Sequence, residues 1–525
     1  MRKIIASLIL MAVIGFSMPI YAGSFTTSVK YIPSWDGAQI SAVVMVPKDQ
    51  GIGPFPLVVI PSSWAAPDLQ NVGSGAVLAS QGYIVVGYTS RGFYDSQGLI
   101  DIAGPATVKD VSAMIDWALI NTPSDPNAIG AVGTSYGAGV SLLAAELDPR
   151  IKAVAATSAW ADLAASLYPN QTPSSQAMAG LVLAGTVTGH PGPELTAATS
   201  RILAGDFDGA AAIVLPLAAA RSPITNVANL NANGTAVFLA NAFNDSLFAP
   251  GQLVDFYGQL SGPKQLMFSQ GDHGSAETAG SLGLPNEVYT AIDRWLDHYL
   301  KGINNGVDAE PRVRLHSQSG IWHDYADWAA VQHGATPYYL GQPTNLLLPT
   351  GSFAQAPSTG WQSGIFTAVP TVASSGVALL TGFLQALDFP PLASMPLIAR
   401  AGAGVWIGPM YQTAQRVDGM SSLHVTVTPS QANTTLYAYL YSVDLLGTGQ
   451  LIGHKPYSLR GAMPGVAQPI DIRLEATSWD VPAGQRLALV IGTVDLRYAG
   501  ITQLGGSVTF SSPDANPSVL SVPLH

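Results

Sequence analysis

Gly133-Thr134-Ser135-Tyr136-Gly137 stands between a short apolar run, residues 128–132, and a helical pattern, residues 138–147. A Gly-x-Ser-x-Gly string in that setting requires a tight strand-to-helix turn, with the serine hydroxyl exposed at the end of a strand and small flanking residues that let the turn pack closely. With 54 glycines in 525 residues the string alone is unspecific, and it is the strand before and the helix after that give it meaning. A turn of this kind commits the surrounding chain to an α/β sheet whose functional edge lies at the C-terminal strand ends.

The neighbouring sequence supplies that sheet. Residues 41–47, 56–60, 83–88, 128–132 and 151–157 read as strands. Between them, 71–81 reads as a helix weakened by Gly73 and Gly75, and 107–119 places Val108, Val111, Ile115 and Leu119 at helical spacing. This is a β-α-β series with largely parallel strands, a doubly wound sheet. Residues 161–230 then turn Ala-, Leu- and Gly-rich and helical, and the sheet resumes at 235–240 and 265–268 before a helix over 287–300. The intervening segment reads as an inserted helical cap. From Pro311 onward short apolar runs bounded by Gly, Pro, Ser and Asp predict an all-β sandwich, jelly-roll-like in character. The expected organisation is therefore a catalytic domain over 23–310 with the cap at 161–230, and a β domain over 311–525.

Residues 1–22 read as a secretory signal peptide: basic Met1-Arg2-Lys3, an apolar run over 4–18, and the small-residue site Ile20-Tyr21-Ala22. The apolar stretches 210–220, interrupted by Pro216, and 377–387 are shorter than the ~18–20 residues that span a bilayer, so no stable membrane insertion is expected. The expected location is secreted or periplasmic. A net charge of −11 without a long basic block argues against a nucleic-acid partner. The absence of cysteine excludes a thiol nucleophile, a disulfide scaffold and any Cys-ligated metal centre.

A serine hydroxyl is a weak nucleophile and needs a base, itself oriented by an acid. In this kind of sheet the order along the chain is Ser, Asp or Glu, then His, the last two on loops after later strands. Asn244-Asp245 and Gly271-Asp272-His273-Gly274 stand at those places, so Ser135, Asp245 and His273 form the expected triad. Asp255 falls further on, in a helical stretch, and Asp272 beside the histidine is expected to point elsewhere. The remaining histidines show no ligand spacing, and neither metal nor cofactor is expected. An acyl intermediate needs donors for its oxyanion. The backbone N–H of Tyr136 is one; the second is expected from Pro61-Ser62-Ser63-Trp64, with the Ser63 backbone favoured, and Trp64 offers an indole N–H or a hydrophobic wall to the substrate.

The chain resembles the cocaine-esterase and Xaa-Pro dipeptidyl-peptidase family of α/β-hydrolases, and the related α-amino-acid ester hydrolases. Arg91-Gly92-Phe93-Tyr94-Asp95-Ser96-Gln97-Gly98 is similar to that family's Arg-Gly-x-x-x-Ser-x-Gly loop, and the elbow to its Gly-x-Ser-Tyr-Gly. Arg221-Ser222-Pro223, Asp297-His298-Tyr299-Leu300-Lys301-Gly302, Trp322-His323-Asp324-Tyr325-Ala326-Asp327-Trp328 and Val481-Pro482-Ala483-Gly484-Gln485-Arg486-Leu487 extend the resemblance over nearly the whole chain past residue 22. The resemblance implies a Ser–Asp–His triad on the three residues already chosen. It departs at Ser62, where relatives often carry an oxyanion tyrosine, at Thr89, where they carry Asp, and over 377–400, which is longer and more apolar than the family pattern. The expected function is a secreted serine hydrolase acting on small carboxylic esters or amides. Xaa-Pro dipeptidyl-peptidase activity and a non-catalytic binding role on a hydrolase fold are the alternatives. A dipeptidyl-peptidase must hold a substrate ammonium, and the cap has only Asp162, Glu194, Asp206 and Asp208 as acids; this favours apolar esters.

Overall fold

The computed structural model describes residues 23–345 and 347–525, so the expected signal peptide lies outside the described residues. Ten strands form one sheet in the order β1-β2-β4-β3-β5-β6-β7-β8-β9-β10: β1 Ser24–Pro33, β2 Gln39–Lys48, β3 Phe55–Pro61, β4 Ile84–Tyr88, β5 Ser124–Thr134, β6 Ile151–Thr157, β7 Ala236–Ala242, β8 Lys264–Ser269, β9 Val313–His316 and β10 Trp322–Tyr325. From β4 through β9 every neighbouring pair runs parallel. Parallel strands covered on both sides carry unbroken apolar runs, and β3 shows why. Leu57 and Val59 pack into the core under helices Pro105–Asn121 and Tyr136–Leu147, while Val58 and Ile60 pack into the core under Val72–Ser80 and Glu287–Lys301.

Gly73 and Gly75 do not break the helix over Val72–Ser80 because they serve its packing. A Cβ on Gly73 would lie 2.2 Å from the Leu282 carbonyl carbon, and one on Gly75 3.3 Å from the Met45 sulfur.

One expectation is corrected. The catalytic domain does not end at residue 310: β9 pairs parallel with β8, and β10 returns antiparallel on β9. Val313 and Leu315 belong to the hydrolase core, so the sheet continues through Tyr325. Pro216 stands inside a helix that runs from Phe207 to Ala218. The break comes at Ser222, in extended backbone, and the chain turns before resuming at Val227–Asn233. By length and composition the stretch Phe207–Asn233 could cross a membrane, but here the helix is broken at Ser222, and Leu230 beyond the break packs into the hydrolase core.

The cap packs helices Ser175–Thr188, Pro193–Leu203 and Phe207–Ala218 over the C-terminal strand ends. Beyond residue 335 two strand layers face each other across a core that includes Leu340, Trp361, Trp406, Val425, Leu440, Leu489 and Phe510. Residues 377–400 split their work between two places. Met395 and Ile398 cover the outer face of one layer, against Tyr437, Tyr439 and Tyr441. The preceding helix, Leu380–Ala386, reaches the C-terminal edge of the large sheet.

Candidate active site

β5 ends at Thr134, and Ser135 takes φ 58° and ψ −120°, a strained conformation for a residue with a Cβ, of the kind that persists only where its surroundings enforce it. They do. The Ser135 N–H donates to the Thr157 carbonyl at 2.8 Å, and its own carbonyl accepts from Ala138 and Gly139. The flanking glycines are required by close approach: a Cβ on Gly133 would sit 2.3 Å from the Gly137 carbonyl carbon, and one on Gly137 2.1 Å from the Pro61 oxygen.

The loops after β7 and β8 bring the other two groups to this serine. His273 Nε2 lies 2.7 Å from Ser135 Oγ, and Nδ1 lies 2.9 Å from Asp245 Oδ2. The second carboxylate oxygen of Asp245 accepts from the Leu247 and Phe248 amides at 2.9 and 2.7 Å, which fixes the acid in place. Because ionised Asp245 can only accept, Nδ1 carries the proton and Nε2 is left to accept from the serine hydroxyl. Burial works against a charged imidazole, but Asp245 outweighs it, with smaller help from Glu277 and Asp272, and holds the His273 pKa above its ordinary value. The Phe248 ring packs edge-on against the imidazole, 5.2 Å between centroids. Asp272 turns away from the ring, accepting from the Ser246 and His273 amides at 2.8 and 2.7 Å. Asp255 is on helix Gly251–Gln259, bonded to Arg473.

The sequence of residues 36–275 matches the family model of X-Pro dipeptidyl-peptidases of the S15 family, and residues 305–516 match that of the X-Pro dipeptidyl-peptidase C-terminal non-catalytic domain. The chain belongs to the S15 family of α/β-hydrolases. A Bacillus anthracis protein provisionally assigned as an Xaa-Pro dipeptidyl-peptidase is 24% identical over 314 residues, covering 54% of this chain and 50% of that protein. The chain thus spans about half the length of the curated relatives it matches. Among solved structures, an aminopeptidase from a marine sediment Thaumarchaeota archaeon superposes with a TM-score of 0.73 at 15% identity, covering 97% of this chain and 98% of that one. A CocE/NonD family hydrolase from Staphylococcus aureus also gives 0.73, at 14% identity over 95% and 94%. These likenesses establish the common fold.

In this S15 chain the Arg-Gly loop proves architectural. Arg91 bonds Asp110 through Nε and Nη2 at 2.9 and 2.6 Å and Asp36 at 2.7 and 3.1 Å, while Gly98 leaves room for the Arg91 side chain. Thr89, at the departure from the family pattern, accepts the Asp68 amide through its hydroxyl at 2.7 Å.

Tyr136 opens the helix after the nucleophile, so its N–H faces no helical carbonyl and is available to an oxyanion. The expectation for Ser63 is corrected. Its N–H donates to Gln70 Oε1 at 2.9 Å, and Gln70 Nε2 returns a bond to the Ser63 hydroxyl at 2.8 Å. The primary amide of Gln70 matches the N–H and hydroxyl of one residue, and so occupies the donor. Ser62 is wholly buried, its N–H on the Tyr88 carbonyl. Trp64 is a wall: its indole N–H is spent on the Leu181 carbonyl at 2.9 Å, and its ring meets Phe93 and Tyr136 edge-on at 5.0 and 5.1 Å.

That wall separates two spaces. Ser135 and His273 open on a cleft of about 470 Å³, lined also by Gln70, Leu181, Glu277 and Leu379. Behind Trp64 lies an apolar cavity of about 90 Å³ under the cap, bounded by Tyr136, Trp160, Leu195, Val214 and Phe248. Trp64 and Leu181 border both. The C-terminal domain completes the cleft with Ala378 and Leu379, whose amides donate to Gln176 Oε1 and Ser246 Oγ, each at 2.8 Å. Gln70, Glu277 and Leu379 are pocket residues the sequence reading missed; only Glu277, four residues beyond His273, carries a sequence hint. Among the described residues no group of three or more His, Asp or Glu could hold a metal ion.

Proposed function

We propose that this chain is an exported serine hydrolase that cleaves small carboxylic esters through an acyl-enzyme. The observation that carries the reading is the unbroken line of hydrogen bonds from Ser135 Oγ through both nitrogens of His273 to Asp245. His273 takes the hydroxyl proton as Ser135 Oγ bonds the carbonyl carbon. The tetrahedral oxyanion is met by the Tyr136 N–H, and the imidazolium, oriented by Asp245, then protonates the departing alcohol. Water repeats the sequence on the acyl-enzyme. The apolar cavity beyond Trp64 supports substrates with an apolar acyl or alcohol part. Export rests on the leader-like character of residues 1–22, and N-terminal sequencing of protein recovered from outside the cytoplasm tests it.

Ser135→Ala is expected to abolish turnover of p-nitrophenyl esters and labelling by a fluorophosphonate probe; full activity in that variant overturns the proposal. The S15 family match supports a second reading, Xaa-Pro dipeptidyl-peptidase activity. A dipeptidyl Xaa-Pro anilide assayed beside the esters separates the two. Efficient anilide cleavage with poor ester turnover decides for the peptidase.

A further inference from the structure

Three carboxyl groups surround His273, and they are not equivalent. Asp245 holds Nδ1 and two backbone amides. Asp272 is satisfied by the amides of Ser246, His273 and Gly382. Glu277 is 1% exposed, lines the same cleft as Ser135 and His273, and has a carboxyl oxygen, Oε1, with no hydrogen-bond partner among the described residues. It takes part in none of the ion pairs among those residues. Burying an acid without a cation is costly, and such groups concentrate where chemistry uses them.

We propose that Glu277 is a second acid behind the triad, a positioning residue whose charge supports the His273 imidazolium while Ser135 attacks. The proposal rests on the serine-hydrolase reading above. In the attack step the Oγ–H bond breaks, its proton passes to Nε2, Oγ bonds the acyl carbon, and the carbonyl π electrons move to oxygen. The positive charge then on the imidazole lies among Asp245, from the loop after β7, and Asp272 and Glu277, from its own loop. Glu277 is faced in turn by Ser158, whose hydroxyl accepts the Gly274 N–H at 3.0 Å, and by Tyr289 from helix Glu287–Lys301. Burial pushes the Tyr289 hydroxyl up to about 12, so it stays neutral in the working range. Burial also lifts the Glu277 acid itself, while Ser158 and the histidine pull it back toward ionisation. The device therefore operates only where the Glu277 carboxyl is ionised.

Glu277→Gln keeps the shape and removes the charge. Its expected result is a kcat reduced roughly tenfold with KM within about twofold, and an acid limb of kcat/KM displaced about one pH unit downward, since one unit of histidine pKa corresponds to that factor. Glu277→Asp, which keeps the charge but withdraws it by one methylene, is expected to fall between the two. A Gln variant with wild-type kcat and an unmoved acid limb overturns the proposal, and so does a change confined to KM, which would make Glu277 a substrate contact. Should the Gln variant fail to fold, the acid limb of Glu277→Asp reads the same quantity, and an unmoved limb there is equally fatal. Fluorophosphonate labelling of the wild-type protein keeps the two ideas apart. No labelling defeats the hydrolase reading itself, whereas a labelled protein with an indifferent Gln variant defeats only the role of Glu277.

Discussion

The amide of Gly382, carried by the C-terminal domain, donates to Oδ2 of Asp272 at 3.3 Å, one residue before His273. A Cβ on Gly382 would lie 2.8 Å from the Asp272 Cβ, a backbone-anchored atom with little room to move. The β domain thus touches the loop that carries the general base, and Leu379 beside it lines the cleft. Gly382→Ala is expected to push helix Leu380–Ala386 off the loop at a cost of about 1–3 kcal/mol. Steady-state ester kinetics should show kcat/KM reduced roughly tenfold, and thermal unfolding should come at a lower temperature. Leu380→Ser, on the exposed side of the same helix, is expected to leave both within ~0.5 kcal/mol of wild type. Equal effects of the two substitutions would remove the argument.

Trp64 divides the triad cleft from the apolar cavity under the cap, and Gly185 is kept small by it, since a Cβ there would fall 2.7 Å from the indole ring. Trp64→Ala joins the two spaces. Across a series of p-nitrophenyl esters the ratio of kcat/KM for an eight-carbon acyl chain to that for acetate is expected to rise about tenfold, the gain of accommodating one or two further methylenes. Trp64→Phe keeps a ring in the wall and is expected to leave the chain-length preference nearly unchanged. A flat response in the Ala variant would mean that the acyl chain never turns toward that cavity.

Arg91 is buried with Asp110 and bridges to Asp36, so its contribution is architectural rather than chemical. Burial works against its charge, but the hydrogen bonds it donates to the two aspartates prevail and hold its pKa above the usual arginine value. Arg91→Met leaves Asp110 buried without a cation, and a loss of about 3–5 kcal/mol in urea-induced unfolding is expected. Arg91→Met with Asp110→Leu should recover most of that loss, because both buried charges are then gone and the remaining carboxylate, Asp36, is partly exposed. Well below the unfolding temperature the single variant is expected to retain near-normal KM.

How much of this was legible in the chain depends on what kind of constraint each residue obeys. Ser135, Asp245 and His273 could be picked out because chain order and strand-end position restrict where a triad can stand, and the structure places them within hydrogen-bonding reach. Ser63 illustrates the limit: its position in the loop was readable, but not that Gln70, seven residues on, would occupy its amide. β9 has four residues, Val313 and Leu315 buried, and no local pattern says which of two sheets such a strand will join. The role of residues 377–400 was invisible for a related reason. Ala378 and Leu379 meet Gln176 and Ser246 across separations of 202 and 133 residues, and only the docking of the two domains creates that contact.

Glu146, near the end of the helix that begins after Ser135, is 5% exposed, with Oε1 lacking a partner among the described residues. Burial pushes its carboxyl pKa up to about 8, an effect the Asn226 side chain only partly offsets. The folded protein therefore holds a proton here that the unfolded chain, with an ordinary value of 4.5, has released. Between those two values the native state binds more protons than the unfolded one, so stability falls as pH rises through the window. The contribution is fully present below the unfolded value and is lost by about pH 8. Glu146→Gln removes the titration while keeping the shape. Unfolding curves at pH 5 and pH 8.5 are expected to differ less for the variant than for the wild type, with the variant more stable by a few kcal/mol at the higher pH. A wild-type stability equal at the two pH values, after the same comparison, would show that the Glu146 carboxyl reaches solvent.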